Sequence, residues 1–140
     1  MFLLDTNVVS ELRKARTGKA HPNVTSWVQV AQQSSLFLSV VVLQELEIGV
    51  LQLERRDPTQ GALLRSWLDE HVMPTFADRV LPVDAVVARR SARLHVPDPQ
   101  PYRDGLIAAT ALVHGMTLVT RNVADFEASG VPLLNPWLPH

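Results

Sequence analysis

The sequence predicts an α/β fold in which helices cover a parallel sheet. Three observations predict it: strand and helix segments alternate along the chain, the strand segments are short continuous apolar runs, and polar capping residues follow them. Continuous apolar runs are typical of strands buried on both faces. The chain has 140 residues, the usual length of one domain, so we expect residues 1–140 to form a single domain.

The first half of the chain supplies two strand–helix units with a further helix between them. Phe2–Leu4 is apolar, and residues 5–7 offer polar caps for a helix over about residues 8–14. Apolar residues at helical spacing then predict two more helices. The remaining segments are a polar loop at 13–22, a helix capped by Asn23, a strand at 36–38 and a helix from 40 to about 55 capped by Ser39.

The second half repeats the order of strand and helix. Asp57 and Pro58 end the preceding helix, and Gly115 is placed to end a later one. The predicted segments are an amphipathic stretch over about 59–77, a strand at 80–83, a helix to 94 capped by Asp84, a helix at 102–114, a strand at 117–119, a short helix around 123–128 and a strand at 131–134.

Composition excludes several classes of protein. Hydrophobic residues make up 46% of the chain and charged residues 19%, which is typical of globular rather than disordered proteins. The chain has no Cys, so a disulfide scaffold, a thiolate zinc site and a Cys nucleophile are excluded. Long apolar runs and a leader pattern are also missing from the sequence, so we expect a cytoplasmic protein without membrane association.

Four of the 14 acidic residues fall near the junctions between strands and helices. Asp5 ends the first strand, Glu45 interrupts an apolar helix, Asp104 opens another, and Asp125 follows the strand at 117–119 by one turn. Each alone could be a cap, an exposed helical residue, a favourable charge at a helix dipole or a surface residue. All four map near the carboxyl edge of the sheet, where such folds bind ligands, and we expect them to converge there.

The other ten acids have ordinary interpretations. Asp84 is a helix cap and Glu47 an exposed helical residue. The remaining eight are interpreted as solvated surface: Glu11, Glu54, Asp57, Asp69, Glu70, Asp78, Asp98 and Glu127.

A cluster of carboxylates needs a counter-charge, because like charges repel and a desolvated charge without a partner is costly. No Lys or Arg accompanies all four acids in the sequence. A hard divalent cation, Mg²⁺ or Mn²⁺, would supply the missing charge, since both prefer oxygen ligands. A site of this kind is suited to phosphodiester hydrolysis.

Four motifs, in order along nearly the whole chain, resemble those of one family. LLDTNVVSEL (residues 3–12) is similar to the opening of the PIN-domain nucleases, specifically the ribonuclease toxins of bacterial toxin–antitoxin pairs, the VapC and FitB-like group. SVVVLQELEIGV (39–50) resembles the second acidic motif of the family, with Glu45 and Gly49 in the family positions. RDGLIAATALVHGMTLVTRNVADF (103–126) is similar to the third and fourth motifs, and GVPLLNPW (130–137) to the usual end.

The resemblance implies a small α/β/α sandwich with a central parallel sheet of four to five strands. It also implies a Mg²⁺- or Mn²⁺-dependent endoribonuclease that acts on tRNA or rRNA. Asp5, Glu45 and Asp104 would be metal ligands, and Asp125 would support a second ion or orient water. Neutral residues that position carboxylates or waters would be Thr6, Asn7, Thr120 and Asn122.

The resemblance further implies a homodimer whose cognate antitoxin inserts into the acidic groove and alone contacts operator DNA. Gly105 stands where relatives often carry Ala, and a Gly loosens a helix start by up to about 1 kcal/mol. The basic segment around Arg13 and Lys19 could guide RNA to the site or could be a solvated loop. The three Trp are interpreted as core or interface residues.

Two alternatives stand beside an active ribonuclease toxin. One is a catalytically weak PIN subunit that acts mainly in an antitoxin-containing, DNA-binding repressor. The other is an acidic-pocket receiver or haloacid-type phosphatase, and the sequence disfavours it. Such a phosphatase needs Asp at position 7, where this chain has Asn, and a receiver needs a late Lys, whereas Lys14 and Lys19 are the only two.

Overall fold

The computed structural model describes residues 1–139 and contains a five-stranded parallel sheet in the order β3-β2-β1-β4-β5. The strand pairs β1–β2, β1–β4, β2–β3 and β4–β5 are all parallel. The predicted α/β fold with a parallel sheet is therefore confirmed. The strands are β1 (Phe2–Leu4), β2 (Leu36–Ser39), β3 (Val80–Leu81), β4 (Thr117–Val119) and β5 (Leu133–Leu134).

Seven α-helices connect these strands within residues 1–139. They are α1 (Thr6–Arg13), α2 (Pro22–Val30), α3 (Val40–Arg56), α4 (Pro58–Trp67), α5 (Met73–Thr75), α6 (Ala85–Arg93) and α7 (Tyr102–His114). The stretch predicted as one amphipathic element at 59–77 is divided, because a π-helical turn, Leu68–Val72, joins α4 to α5. The short helix predicted around 123–128 consists of two 3₁₀ turns, Val123–Asp125 and Glu127–Ser129.

Polar side chains begin several helices as predicted. Ser39 accepts a hydrogen bond from the amide of Val41 at 3.0 Å, and Asp84 accepts one from the amide of Val87 at 2.9 Å. Each satisfies an amide that has no partner inside its helix. At the other end of α7, Gly115 adopts the left-handed conformation, φ 66°, that the predicted helix stop requires.

The predicted cap of α2 is wrong. The helix begins at Pro22, and His21 caps it by accepting a hydrogen bond from the amide of Asn23 at 3.1 Å. Pro suits the first position of a helix because its ring fixes φ and its missing N–H needs no partner there. The side chain of Asn23 instead donates to the carbonyl of Trp137 at 2.8 Å.

The sequence predicts Glu11 as a solvated surface residue, and this prediction is wrong. Glu11 is buried, with 8% of its surface exposed. Its carboxylate accepts hydrogen bonds from the amide of His21 at 2.8 Å and from Lys14 at 3.1 Å. Burial raises the pKa of Glu11, but these hydrogen bonds and the charge of Lys14 outweigh it, so the pKa is lowered. Glu11 thus links α1 to the start of α2.

The core lies around β1, where Leu3 and Leu4 have no exposed surface. Trp27 and Trp67 are buried in the same apolar cluster, and Trp137 packs against it. The interpretation of the three Trp as core or interface residues agrees with this packing. None of the helices within residues 1–139 is both long enough and apolar enough to cross a membrane.

The central position of β1 decides where a ligand can bind. From β1 the chain builds the sheet in one direction through β2 and β3, and it later builds β4 and β5 on the other side. Ligands in such sheets bind at the carboxyl ends of the strands where this order reverses, here between β1 and β4. Leu4 pairs with Val119, so the next residues, Asp5 and Thr120, meet at that point.

We expect Gly61→Ala to destabilise the protein by about 1–3 kcal/mol, because an added methyl group would overpack the contact between α3 and α4. The new Cβ would overlap the main chain of Glu54, 2.6 Å from its amide nitrogen. Gly49→Ala is the control, since its Cβ would meet nothing within 4 Å and a helical Ala is more stable than Gly. Urea unfolding measures both changes, and equal effects would contradict the packing argument.

Candidate active site

The buried carboxylate of Asp5, 8% exposed, lies at the carboxyl end of β1. The amide of Thr6 donates to Asp5 Oδ1 at 2.8 Å, and the hydroxyl of Thr120 donates to Asp5 Oδ2 at 2.8 Å. The main-chain amide of Asp5 is itself bound to the carbonyl of Val119 at 2.9 Å. These bonds fix both the position and the orientation of the carboxylate.

Three of the four predicted neutral residues surround this carboxylate directly. Besides Thr6 and Thr120, the side chain of Asn7 donates to Asp5 Oδ2 at 3.4 Å and to Thr120 at 3.3 Å, and it accepts from the amide of Arg121 at 3.3 Å. Asn122 acts through its main chain, since its amide donates to the Thr120 hydroxyl at 3.0 Å and the residue is exposed. The network therefore joins α1 to the segment after β4.

The structure brings the four predicted acids into one electrostatic neighbourhood. Glu45 interacts with the charges of both Asp5 and Asp104. Asp104 and Asp125 interact with each other and with Asp5. Glu45 and Asp104 are half-buried, whereas Asp125 is exposed. Acids that follow β1, lie on α3 and α7, and follow β4 are thus close enough for their charges to act on one another.

Three of these acids have raised pKa values. Burial raises the pKa of Asp5, hydrogen bonds from Thr120 and Thr6 offset part of the increase, and the charge of Asp125 adds to it. Burial raises the pKa of Glu45 and of Asp104, and in both the charge of Asp5 raises it further. The ionised site is therefore short of positive charge.

Sequence reasoning assigned no role to Arg103, yet its charge lowers the pKa of Glu45 and partly offsets the repulsion there. Its position beside Asp104 in the chain was the available signal. The hydroxyl of Thr6 also lowers the pKa of Glu45, although its oxygen is buried without a formed hydrogen bond among residues 1–139. An unpaired buried oxygen beside a carboxylate is a feature that a bound cation or water would satisfy.

The donor set suits a hard cation, because it consists of carboxylates with raised pKa values and an unpaired hydroxyl. As they stand, no three Asp, Glu or His side chains within residues 1–139 form a group that could hold a metal ion. Mg²⁺ commonly binds through one or two carboxylates and keeps several waters, so a closed protein cage is not required. The residues present therefore fit such an ion.

Two surface depressions open from the acids. One is lined by Thr6 and Glu45 and extends past Arg13 and Lys14 towards Trp67. The other lies beside Asp104 and Asp125. The acids therefore border both depressions.

Gly105 has a packing role that its sequence position did not reveal. A Cβ at this residue would lie 3.3 Å from both Ser91 Oγ and His95 Nε2, which is tighter than ordinary contact. The missing side chain lets the end of α6 approach the start of α7, directly beside Asp104. The glycine thus brings the two helices together where α7 presents its acid.

The model of the PIN domain family matches residues 2–128. The chain belongs to the PIN-domain family. It is 36% identical to VapC ribonuclease Y4jK of Sinorhizobium fredii, over 99% of both chains, and 34% identical to Toxin FitB of Neisseria gonorrhoeae, over 98% of this chain and 99% of that protein. A solved structure of FitAB bound to an IR36 DNA fragment superposes with a TM-score of 0.88 at 33% identity, covering 100% of this chain and 99% of that one.

These matches confirm the resemblance that the four sequence motifs indicated, and with it the PIN-like α/β fold. The matched residues 2–128 include Asp5, Glu45, Asp104 and Asp125. The acids of this PIN domain thus lie within the matched region, and their charges act on one another in the structure.

We expect Asp104→Asn to stabilise the metal-free PIN domain at neutral pH but not in acid. The pKa of the Asp104 carboxyl is raised in the folded state, so this group stabilises the fold at pH values below its ordinary pKa of 3.8 and loses that contribution as pH rises through the folded pKa. The neutral amide of Asn does not ionise, so the variant does not lose stability in this way as pH rises. Urea unfolding with EDTA at about pH 7 and about pH 3.5 measures the difference. The control is Asp98→Asn at an exposed position, and equal gains at both pH values would contradict the expectation.

Proposed function

We propose that this PIN protein is a divalent-metal-dependent endoribonuclease toxin of a toxin–antitoxin pair. The observation that carries the proposal is the convergence of Asp5, Glu45, Asp104 and Asp125 beside β1 and β4. Relatives that match the chain over nearly its full length are named VapC ribonuclease and Toxin FitB, which supports a nuclease acting as a toxin. The substrate we propose is RNA, with tRNA or rRNA as the expected class.

In this proposal Asp5, Glu45 and Asp104 hold Mg²⁺ or Mn²⁺, either directly or through the waters that such an ion keeps, and Asp125 supports a second ion or orients the attacking water. The ion, when bound, supplies activation of water and neutralisation of charge on the phosphate oxygens. The protein supplies a fixed carboxylate at Asp5, because Thr6, Asn7 and Thr120 hold both of its oxygens. Ligands held in this way need little rearrangement when the substrate arrives.

RNA needs a path on which its phosphates are not repelled by the acids. The depression that contains Glu45 is also lined by Arg13 and Lys14, from the basic segment that the sequence suggested as an RNA guide. Lys14 is paired with Glu11 at 3.1 Å, whereas Arg13 has no ion pair among residues 1–139. Arg13 is therefore the residue of this segment that we assign to phosphate contact.

We also propose a cognate antitoxin, a homodimer and a cytoplasmic location. The structural relative FitAB is a complex solved on DNA, which supports a second protein bound to this fold. An antitoxin that covers the acids would need to present a basic group, because the ionised site lacks positive charge. Operator DNA would be contacted by the antitoxin only.

The second candidate function is a catalytically weak PIN subunit of a DNA-binding repressor. The DNA in the FitAB structure is the observation that favours it. The two candidates differ in what the acids do, since a repressor subunit needs no cleavage. Removing one acid without disturbing the fold separates them.

Asp5→Asn should abolish Mg²⁺-dependent RNA cleavage, a loss of about 100-fold or more, because the amide cannot serve as an anionic ligand. Cleavage of a labelled RNA by the purified protein measures it. Glu70→Gln is the control, since Glu70 is exposed and its side chain has no hydrogen bond among residues 1–139. If the wild-type protein cleaves no RNA, and its expression in bacteria does not stop their growth, the result would instead favour the repressor subunit.

Mg²⁺ or Mn²⁺ should raise the melting temperature of the wild-type protein and of Glu70→Gln, but not of Asp5→Asn. A ligand that binds only the folded state stabilises it, by about 2.7 kcal/mol at 100 times its dissociation constant. Thermal unfolding with and without the ion gives the shift independently of activity. An equal shift in the wild type and in Asp5→Asn would show that the ion binds elsewhere.

A further inference from the structure

Gly49 lies in the middle of α3, and packing does not require a glycine there. Glycine inside a helix lowers the stability of the helix relative to alanine. At Gly61 a close neighbour explains the residue, because an added Cβ would lie 2.6 Å from the amide nitrogen of Glu54. A Cβ at Gly49 would meet nothing within 4 Å. The glycine therefore leaves open space on this face of α3.

The open space belongs to one of the two depressions that the acids border. Gly49 lines it together with Glu45, which lies one helical turn earlier on the same face of α3. Leu64 and Trp67 of α4 line another side. The volume is about 610 Å³, within the usual range for sites that bind small ligands. We call this cavity the Gly49 depression.

The side of the depression that α1 forms leads from the acids to a basic end. Thr6 lies at the start of α1, and its buried hydroxyl oxygen has no hydrogen-bond partner within residues 1–139. Ser10 lines the depression one turn later, and Arg13 lines it at the end of the helix. The rise of 1.5 Å per residue places Arg13 about 10 Å along α1 from Thr6. The depression thus connects the acidic site to a guanidinium group that has no ion pair in the described chain.

We propose that the Gly49 depression holds a nucleoside of the RNA substrate beside the phosphate bound at the acids, and that the missing side chain of Gly49 makes room for it. This inference rests on the proposed nuclease function. Leu46, Leu64 and Trp67 offer an apolar surface for the base or sugar, and Arg13 binds the next phosphate. Gly49 thus determines by its size what the site accepts.

The charges at the two ends of the depression favour RNA over a protein segment. With a divalent ion at the acids, the site end attracts an anion, and the basic end attracts one as well. A nucleic acid carries the same anionic group on both sides of each neutral nucleoside, so one repeating unit matches both ends. A peptide would need two acidic groups at this separation, or a basic group in place of the ion together with an acidic group at Arg13. RNA meets the charge pattern with its backbone alone.

The variants Gly49→Leu and Gly49→Ala test the proposal against Ala88→Leu. Leu at position 49 fills the depression, and Ala adds one methyl group to it. Ala88 is an exposed residue of α6, a helix that does not line the depression. Gly49→Ala should melt at or above the wild-type temperature, because its methyl group meets no neighbour. A lower melting temperature would show that packing requires the glycine, and this would contradict the premise.

Binding of a labelled single-stranded RNA of about 12 nucleotides is measured in EDTA, so that a metal-dependent enzyme cuts nothing. Gly49→Leu should bind about tenfold more weakly than the wild type, because one nucleoside loses its contacts. Gly49→Ala should lose less, and Ala88→Leu should bind like the wild type. Equal affinity of Gly49→Leu and the wild type would overturn the proposal and leave the depression to a protein segment. A wild type that binds no RNA would also overturn it.

The double variant Arg13→Gln/Gly49→Leu shows whether the two residues act on the same ligand. Its loss of affinity should be smaller than the product of the two single losses, because a nucleotide excluded at position 49 no longer reaches Arg13. A loss equal to that product would mean that RNA reaches Arg13 by a route outside the depression. That outcome would contradict the proposal.

Cleavage separates this inference from the nuclease function on which it rests. If the wild type cuts RNA, and Gly49→Leu binds and cuts it equally well, the role of Gly49 is refuted and the nuclease is not. If RNA binds through the Gly49 depression but is never cut with Mg²⁺, the nuclease is refuted and the nucleoside site stands. Mg²⁺ should raise the melting temperatures of the wild type and of Gly49→Leu equally, which shows that the acids are intact in the variant.

Discussion

The hydrogen bond from Thr120 to Asp5 joins the two strand ends on which the site depends. It is 2.8 Å long, lies in the interior and connects residues 115 positions apart. Pairing of β1 with β4 brings the two residues together, and the bond in turn holds the carboxylate in one orientation. Because a buried carboxylate without partners would take up a proton, this contact helps to keep Asp5 available as an anion.

The acids of the site destabilise the fold because their charges are partly buried and repel one another, and packing elsewhere in the fold compensates for this cost. Burial and mutual repulsion raise the pKa of Asp5, Glu45 and Asp104 together, and Arg103 compensates only at Glu45. The fully buried apolar residues of β1 and β4 stabilise the strands from which Asp5 and Thr120 emerge. The clustered carboxylates therefore lower the stability of the fold, while the proposed function requires them. Such a conflict between stability and function is common at sites that bind a charged ligand.

Local sequence signals were sufficient for the parallel sheet and for most helix boundaries, because apolar runs, capping residues and strand ends are properties of short segments. The roles of the four acids stay a prediction. Tertiary contacts decided what those signals missed. Glu11 was predicted to lie on the surface, but it accepts a hydrogen bond from the amide of His21 at the start of α2. Asn23 was predicted to cap α2, but the helix begins at Pro22 and His21 is the cap. The proximity of Arg103 to Glu45 and the close packing at Gly105 depend on how α7 meets α3 and α6, which no segment encodes alone.

The central strand, β1, is synthesised before the other four strands of the sheet. One of its two neighbours, β4, is separated from it by more than 100 residues of chain. Residues 2–4 leave the ribosome before the other four strands, whereas β4 exists only after residue 119 has been added. Until then the carboxylate at position 5 has no hydroxyl to orient it and no adjoining strand end to form a crevice. An unfinished or prematurely terminated chain therefore lacks the assembled centre, whatever activity the finished protein has.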